Sequence, residues 1–166
     1  MILLKQVLVP TDFSRASEAA LTYGRALARR FGATLHLLHV VENDFLKATP
    51  TDPRALTAGT KRTLNGRLTD EDRIDLRARA IVDVSDSPAE AIADYARQER
   101  IDLIVMGTHG RSAVAQLLVG SVAERVVRTA PCPVLTVRHP EREFVLPDCS
   151  EQRGGHDSPE EYSRRN

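Results

Sequence analysis

Val7-Leu8-Val9-Pro10-Thr11-Asp12-Phe13-Ser14 reads as a strand end, a turn and a helix start. Val7-Leu8-Val9 is a short β-branched run closed by Pro10, the pattern of a buried strand. Thr11 to Ser14 form the turn. Ser14 is placed to cap a helix over residues 15 to 31, with an apolar stripe at Ala16, Ala20, Tyr23, Leu27 and Phe31 and a stop at Gly32.

The alternation continues outward from this unit. Residues 34 to 41 (Thr-Leu-His-Leu-Leu-His-Val-Val) form a second strand, and residues 42 to 53 are polar and irregular. Residues 54 to about 72 are weakly helical, with Leu56, Leu64 and Leu68 on one side. Gly59 and Gly66 each cost about 1 kcal/mol inside a helix. Leu76, Ala78, Ala80, Val82 and Val84 alternate with Arg77, Arg79, Ile81 and Asp83, which predicts a partly exposed edge strand. Ser87-Pro88-Ala89-Glu90 fits a capping box with proline in the first helical position, opening a helix to about Gln98 that buries Ile92, Tyr95 and Ala96. Residues 102 to 106 are a fourth strand, 107 to 120 a glycine-punctuated loop, 121 to 129 a last helix, and Pro133 to Val137 a fifth strand. Strands alternating with helices demand crossover connections and a doubly wound parallel α/β sheet covered on both faces. From His139 the composition turns polar, so residues 1–139 are expected to form one domain and 140–166 a mobile tail.

The bulk numbers agree with one domain. The chain has 166 residues, 42% hydrophobic and 28% charged, with 23 Lys plus Arg against 23 Asp plus Glu. A net charge of zero argues against a general nucleic-acid binder. Cys132 and Cys149 make no disulfide scaffold, and Cys132, within Pro-Cys-Pro, reads as a small buried thiol. Met1-Ile2-Leu3-Leu4 is cut short as a signal by Lys5-Gln6, and no apolar stretch approaches the ~20 residues of a membrane span. The expectation is a cytoplasmic protein without a membrane segment.

The segment richest in chemistry is Met106-Gly107-Thr108-His109-Gly110-Arg111-Ser112, followed later by Gly120-Ser121-Val122. A loop leaving the carboxyl end of a parallel strand lies where open α/β sheets bind ligands. Gly107 and Gly110 would let backbone N–H groups approach an anion closely. Gly120-Ser121 stands at a helix start, where free N–H groups and the positive dipole end favour phosphate. Turn-making alone is the competing reading of these glycines. Asp12 suits either a Mg²⁺ site shared with phosphates or a turn-stabilising carboxylate. Arg111 is a loop cation able to reach a phosphate or to sit in solvent, and His109 suits solvent. His36 and His39 point to opposite strand faces, so they do not share a metal. There is no Gly-x4-Gly-Lys-[Ser/Thr] loop, no Gly-x-Gly-x2-Gly after the first strand, and no Ser-His-Asp or paired-carboxylate arrangement that spacing supports.

Gly-x2-Gly-x9-Gly-Ser, here Gly107, Gly110, Gly120 and Ser121, resembles the ATP-binding signature of universal stress proteins. The resemblance extends over about residues 5 to 138. It includes Leu8 to Ser14, Leu38-His39-Val40, Ser87-Pro88 and Pro131-Cys132-Pro133-Val134. It implies an adenine nucleotide alpha-hydrolase-like fold with strand order 3-2-1-4-5, and ATP, with Mg²⁺, as the ligand. It also implies roles. Pro10, Thr11 and Asp12 would line the adenine and ribose, Val40 would meet adenine through its backbone, and Met106 would close the base pocket. Gly107 and Gly110 would flank ribose and phosphates, and Gly120, Ser121 and Val122 would hold the phosphate chain. The chain departs from the family in Ser85-Asp86-Ser87-Pro88, which lacks a glycine found in many relatives. A nucleotide-dependent regulatory module is one reading of function. The other is a slow ATPase or self-phosphorylating enzyme with Ser112 or Ser121 as acceptor, which needs a positioned base as well.

The fifth strand carries no charge until Arg138, whereas the third carries Arg77, Arg79 and Asp83. Bare edges invite pairing, so a homodimer through Pro133–Val137 is expected, as universal stress proteins often form. The rival is that Phe144-Val145-Leu146 folds back over this edge.

Overall fold

The computed structural model describes residues 3–42, 53–108 and 120–138. Its strands are β1 (Gln6–Pro10), β2 (Thr34–Glu42), β3 (Arg79–Ser85), β4 (Leu103–Gly107) and β5 (Val134–Val137). Its helices are α1 (Arg15–Phe31), α2 (Pro53–Asn65), α3 (Asp70–Asp75), α4 (Pro88–Gln98) and α5 (Ser121–Thr129). The sheet runs β3-β2-β1-β4-β5, and every pairing is parallel. This is the doubly wound sheet and the strand order expected.

Side-chain alternation along β1 divides the core in two. Val7 and Val9 face α1, joined by Leu35, Leu37 and Val105 and by Leu64 of α2. Leu8 faces the other way, with Leu38, Ile104 and Met106 against Ile92 and Ala96 of α4 and Val126 of α5. The central strands are covered on both faces, which is why they read as continuous apolar runs.

The buried stripe of α1 differs from the expected one. Ala16, Ser17, Ala20, Leu21, Gly24 and Ala28 are buried, Tyr23 and Leu27 are half-buried, and Phe31 is exposed. At Gly24 the helix sits too close to the sheet for any side chain: a Cβ there would lie 2.4 Å from Val9 Cγ2. Leu21 fills the core beside it, while Tyr23 and Leu27 lie toward the flanks.

The weak helix of residues 54–72 is two helices. α2 ends at Asn65, just before Gly66, and α3 begins behind a capping box in which Thr69 and Asp72 each accept the other's backbone N–H. Asp72 is fully buried and accepts from Arg25 Nε at 2.9 Å, tying α3 to α1. At α4 the proline sits at the helix start as expected, but the capping box does not form. Glu90 reaches instead to Arg125 of α5 at 2.6 Å. Ser87 N–H donates to Ser85 Oγ at 3.1 Å.

The chain leaves β1 toward β2 on one side and returns to β4 on the other. The crevice between the carboxyl ends of β1 and β4 is thus the topological switch point, where open α/β sheets take ligands.

Candidate functional site

Several chain segments meet at this edge. β1 leaves through Pro10, Thr11 and Asp12, and Thr11 N–H still donates to the Leu38 carbonyl of β2 at 2.8 Å. Thr11 is buried. Its hydroxyl lies 3.0 Å from Ser17 Oγ and accepts the Phe13 N–H at 3.1 Å. Asp12 Oδ1 accepts the Ser14 N–H at 3.1 Å, the turn-stabilising arrangement weighed above. A carboxylate accepts several partners at once, so this bond and a Mg²⁺ role are compatible. Ser14 caps α1 by accepting the Ser17 N–H at 3.3 Å, so the positive end of that helix also sits here.

β1 and β4 pair Leu8 with Ile104, so Pro10 and Met106, each two residues further on, stand at the same level near the carboxyl edge. Met106 is buried, and half-buried Val40 packs into the same apolar cluster on the α4–α5 face. Gly107 has its own structural reason. A Cβ there would stand 2.8 Å from the Ala16 carbonyl carbon and 2.9 Å from Ala16 Cβ. The missing side chain is accounted for by the approach of α1.

Thr108, passed over in the sequence, closes the glycine loop. Its N–H donates to the Val137 carbonyl at 2.8 Å, and its own carbonyl accepts the Gly120 N–H at 2.5 Å. The two ends of the loop therefore meet at the carboxyl ends of β4 and β5. Gly120 is the N-cap of α5 in an extended conformation and, as a glycine, makes no side-chain cap bond. Ser121 and Val122 open it and are exposed. Gly110 and Arg111, with His109 and Ser112, lie outside the described residues. The structure thus brings together Pro10, Thr11, Asp12, Val40, Met106, Gly107, Gly120, Ser121 and Val122 at one edge of the sheet.

The histidines face opposite ways, as the strand period requires. His36 is buried, with Nε2–H donating to Gln6 Oε1 at 2.8 Å and Nδ1 accepting from the Tyr95 hydroxyl at 2.8 Å. Burial, reinforced by the nearby Arg79 charge, holds its pKa below the ordinary 6.5. Burial and the nearby Glu99 carboxylate push Tyr95 up to about 12. His39 Nδ1 donates to the Thr11 carbonyl at 2.7 Å from the other face. Among the described residues no cluster of three or more His, Cys, Asp or Glu could hold a metal. Cys132 is half-buried and unbridged, and burial, with Asp102 nearby, pushes its thiol pKa up, away from a reactive thiolate. A groove between β3 and α4, lined by Asp83, Ser85, Glu90, Asp94, Tyr95 and Gln98, includes none of the expected nucleotide residues.

A doubly wound parallel sheet with a helix start beside the carboxyl end of β4 places this chain among the open α/β folds that take ligands at that edge. Residues 4–138 match the model of the universal stress protein family, and the chain belongs to that family. It is 31% identical over 149 residues to universal stress protein MJ0531 of Methanocaldococcus jannaschii, covering 85% of this chain and 86% of that one. Universal stress protein UspA from Lactobacillus plantarum superposes with a TM-score of 0.71 at 30% identity, covering 83% of this chain and all of that one. A universal stress protein solved in complex with cAMP superposes with a TM-score of 0.60 at 25% identity, covering 82% of this chain and 98% of the other. Among the described residues no helix is long and apolar enough to cross a membrane.

Proposed function

We propose that this chain is a cytoplasmic regulatory module of the stress response that binds ATP, with Mg²⁺, at the carboxyl edge of its sheet. The observation that carries this reading is the bond between Thr108 and Gly120. It sets the start of α5 beside the end of β4, so the amides of a helix N-terminus stand by the switch point. The donor set fits a phosphate chain: main-chain N–H groups, the Ser121 hydroxyl and the positive ends of α1 and α5. Val40 and Met106 supply an apolar wall for adenine, with Pro10, Thr11 and Asp12 on the ribose side. Gly107, Gly110 and Arg111 complete the phosphate loop on the strength of the motif. Asp12 is the carboxylate proposed to stand by Mg²⁺. The relative solved with cAMP supports an adenine nucleotide as the ligand class.

Regulation without dedicated catalysis accounts for a full phosphate signature with no assignable base or nucleophile. The alternative is slow hydrolysis or self-phosphorylation on Ser112 or Ser121. Calorimetric titration with Mg-ATP tests the binding reading: wild type binds with one site, and Gly110→Val, which fills the space between backbone and phosphate, abolishes binding. Unchanged affinity in the variant removes this loop from the site. Incubation with γ-labelled ATP separates the two classes, since labelled protein or free phosphate identifies the enzyme.

A further inference from the structure

Phe13 stands in the left-handed region of the backbone, with φ of 64°. Bulky residues rarely adopt this conformation, and it persists only where the surroundings over-determine it. The surroundings here do so from several sides. The Phe13 N–H donates to Thr11 Oγ1 at 3.1 Å, and the next amide, Ser14 N–H, donates to Asp12 Oδ1 at 3.1 Å. The Phe13 ring lies 4.6 Å, centroid to centroid, from the His39 ring. His39 in turn donates from Nδ1 to the Thr11 carbonyl. The Arg67 guanidinium lies over the Phe13 ring at 5.7 Å. Arg67 is itself held by Glu18 at 2.6 Å, and its carbonyl accepts from Arg25 Nη2 at 2.5 Å. The turn that carries Thr11 and Asp12 is therefore held by β2 through His39 and by the α2–α3 link through Arg67.

We propose that Phe13 is a positioning residue of the nucleotide site. Its ring, gripped by His39 and Arg67, forces the left-handed bend that fixes Thr11 and Asp12 at the carboxyl edge before ligand arrives. The proposal rests on the reading that the nucleotide binds at this edge. Preorganisation raises affinity by removing the cost of ordering a loop on binding. Loss of the clamp thus weakens binding without removing any ligand contact.

The test compares Phe13→Tyr, Phe13→Ala and Phe13→Gly with wild type, and uses Ile101→Val, buried at the amino edge of the sheet, as a control for lost stability alone. Two quantities are read: Mg-ATP affinity by calorimetry, and hydrogen exchange of the Phe13 and Ser14 amides without nucleotide. Phe13→Tyr retains the stack and stays within about twofold of wild type in both. Phe13→Ala and Phe13→Gly weaken ATP by about tenfold or more and speed exchange at both amides. Ile101→Val lowers the melting midpoint with affinity unchanged. Wild-type affinity in both Phe13→Ala and Phe13→Gly overturns the proposal, and so does equal weakening in Ile101→Val. If wild type itself fails to bind Mg-ATP, the nucleotide reading falls. The exchange rates then still decide whether Phe13 holds the turn, because unchanged rates in Phe13→Gly contradict it.

Discussion

At Gly107 a single methyl group is too much, because it would meet Ala16 of α1 at 2.8 Å. Gly107→Ala is predicted to cost about 1–3 kcal/mol by overpacking, read as a lower urea midpoint with an unchanged slope. His36 sets a pH dependence of opposite origin. Its folded pKa lies below the unfolded 6.5, so as pH falls through that window the unfolded state binds more protons and stability falls. The contribution is present above about pH 6.5 and lost as pH drops through the folded value. Wild type therefore loses stability on acidification more steeply than His36→Gln, by at most about 1.4 kcal/mol per pH unit. Equal pH slopes in the two proteins would contradict the account. Both residues were visible in the sequence, but not these roles. Gly107 read as a residue making room for an anion, and only the packing of α1 reveals which neighbour fills that room. His36 read as an ordinary buried histidine, which it is, while Gln6 and Tyr95 are partners 30 and 59 positions away. The left-handed Phe13 left no local trace, because residue type argues against that conformation and only tertiary contacts impose it.

Two helices end on the same pair of bonds with different residues at the bend. After α1, the N–H of Ala33 donates to the Ala28 carbonyl at 2.9 Å and that of Gly32 to Arg29 at 3.4 Å, with Gly32 left-handed. After α4, the N–H of Ile101 donates to Ala96 at 2.9 Å and that of Arg100 to Arg97 at 3.4 Å, with Arg100 left-handed at φ of 52°. Glycine is at home in this motif and arginine is strained. Arg100→Gly is predicted to stabilise by about 0.5–1 kcal/mol, raising the melting midpoint by roughly 1–4 °C. A midpoint at or below that of wild type would contradict this. Helix boundaries were legible where a cap residue and an apolar period coincide: the limits of α1 and α5 agree with the expectation. The limits of α4 also agree, but cap bonds were not legible where side chains have rival partners. Ser87 and Glu90 had the capping-box spacing, yet Arg125 takes Glu90. Thr69 and Asp72 had a similar spacing and do form the box, splitting what looked like one helix. A signal of two residues three apart does not say which of them the rest of the fold will claim.

The whole molecule was the most legible level, since alternating strands and helices admit few topologies. Its two edges differ. On β3, Lys61 donates to the Ala80 carbonyl and Asp83 accepts the Val84 N–H at 2.8 Å, so main-chain groups of that strand are already engaged. On β5, Leu135 is exposed, and Val122 and Val127 of α5 add apolar surface. We therefore place the proposed homodimer at β5. Sedimentation equilibrium at micromolar concentration should give about twice 18.4 kDa for wild type and 18.4 kDa for Leu135→Asp. A monomeric wild type refutes the dimer. Whether an adenine nucleotide binds at the carboxyl edge is decided by following backbone amide resonances as Mg-ATP is added. Shifts are expected at Thr11, Asp12, Val40, Met106, Gly107, Ser121 and Val122, with little change at Gln6, Thr34 and Asp102 on the amino edge. Shifts absent at saturating Mg-ATP, or concentrated at that opposite edge, would contradict binding at the carboxyl edge.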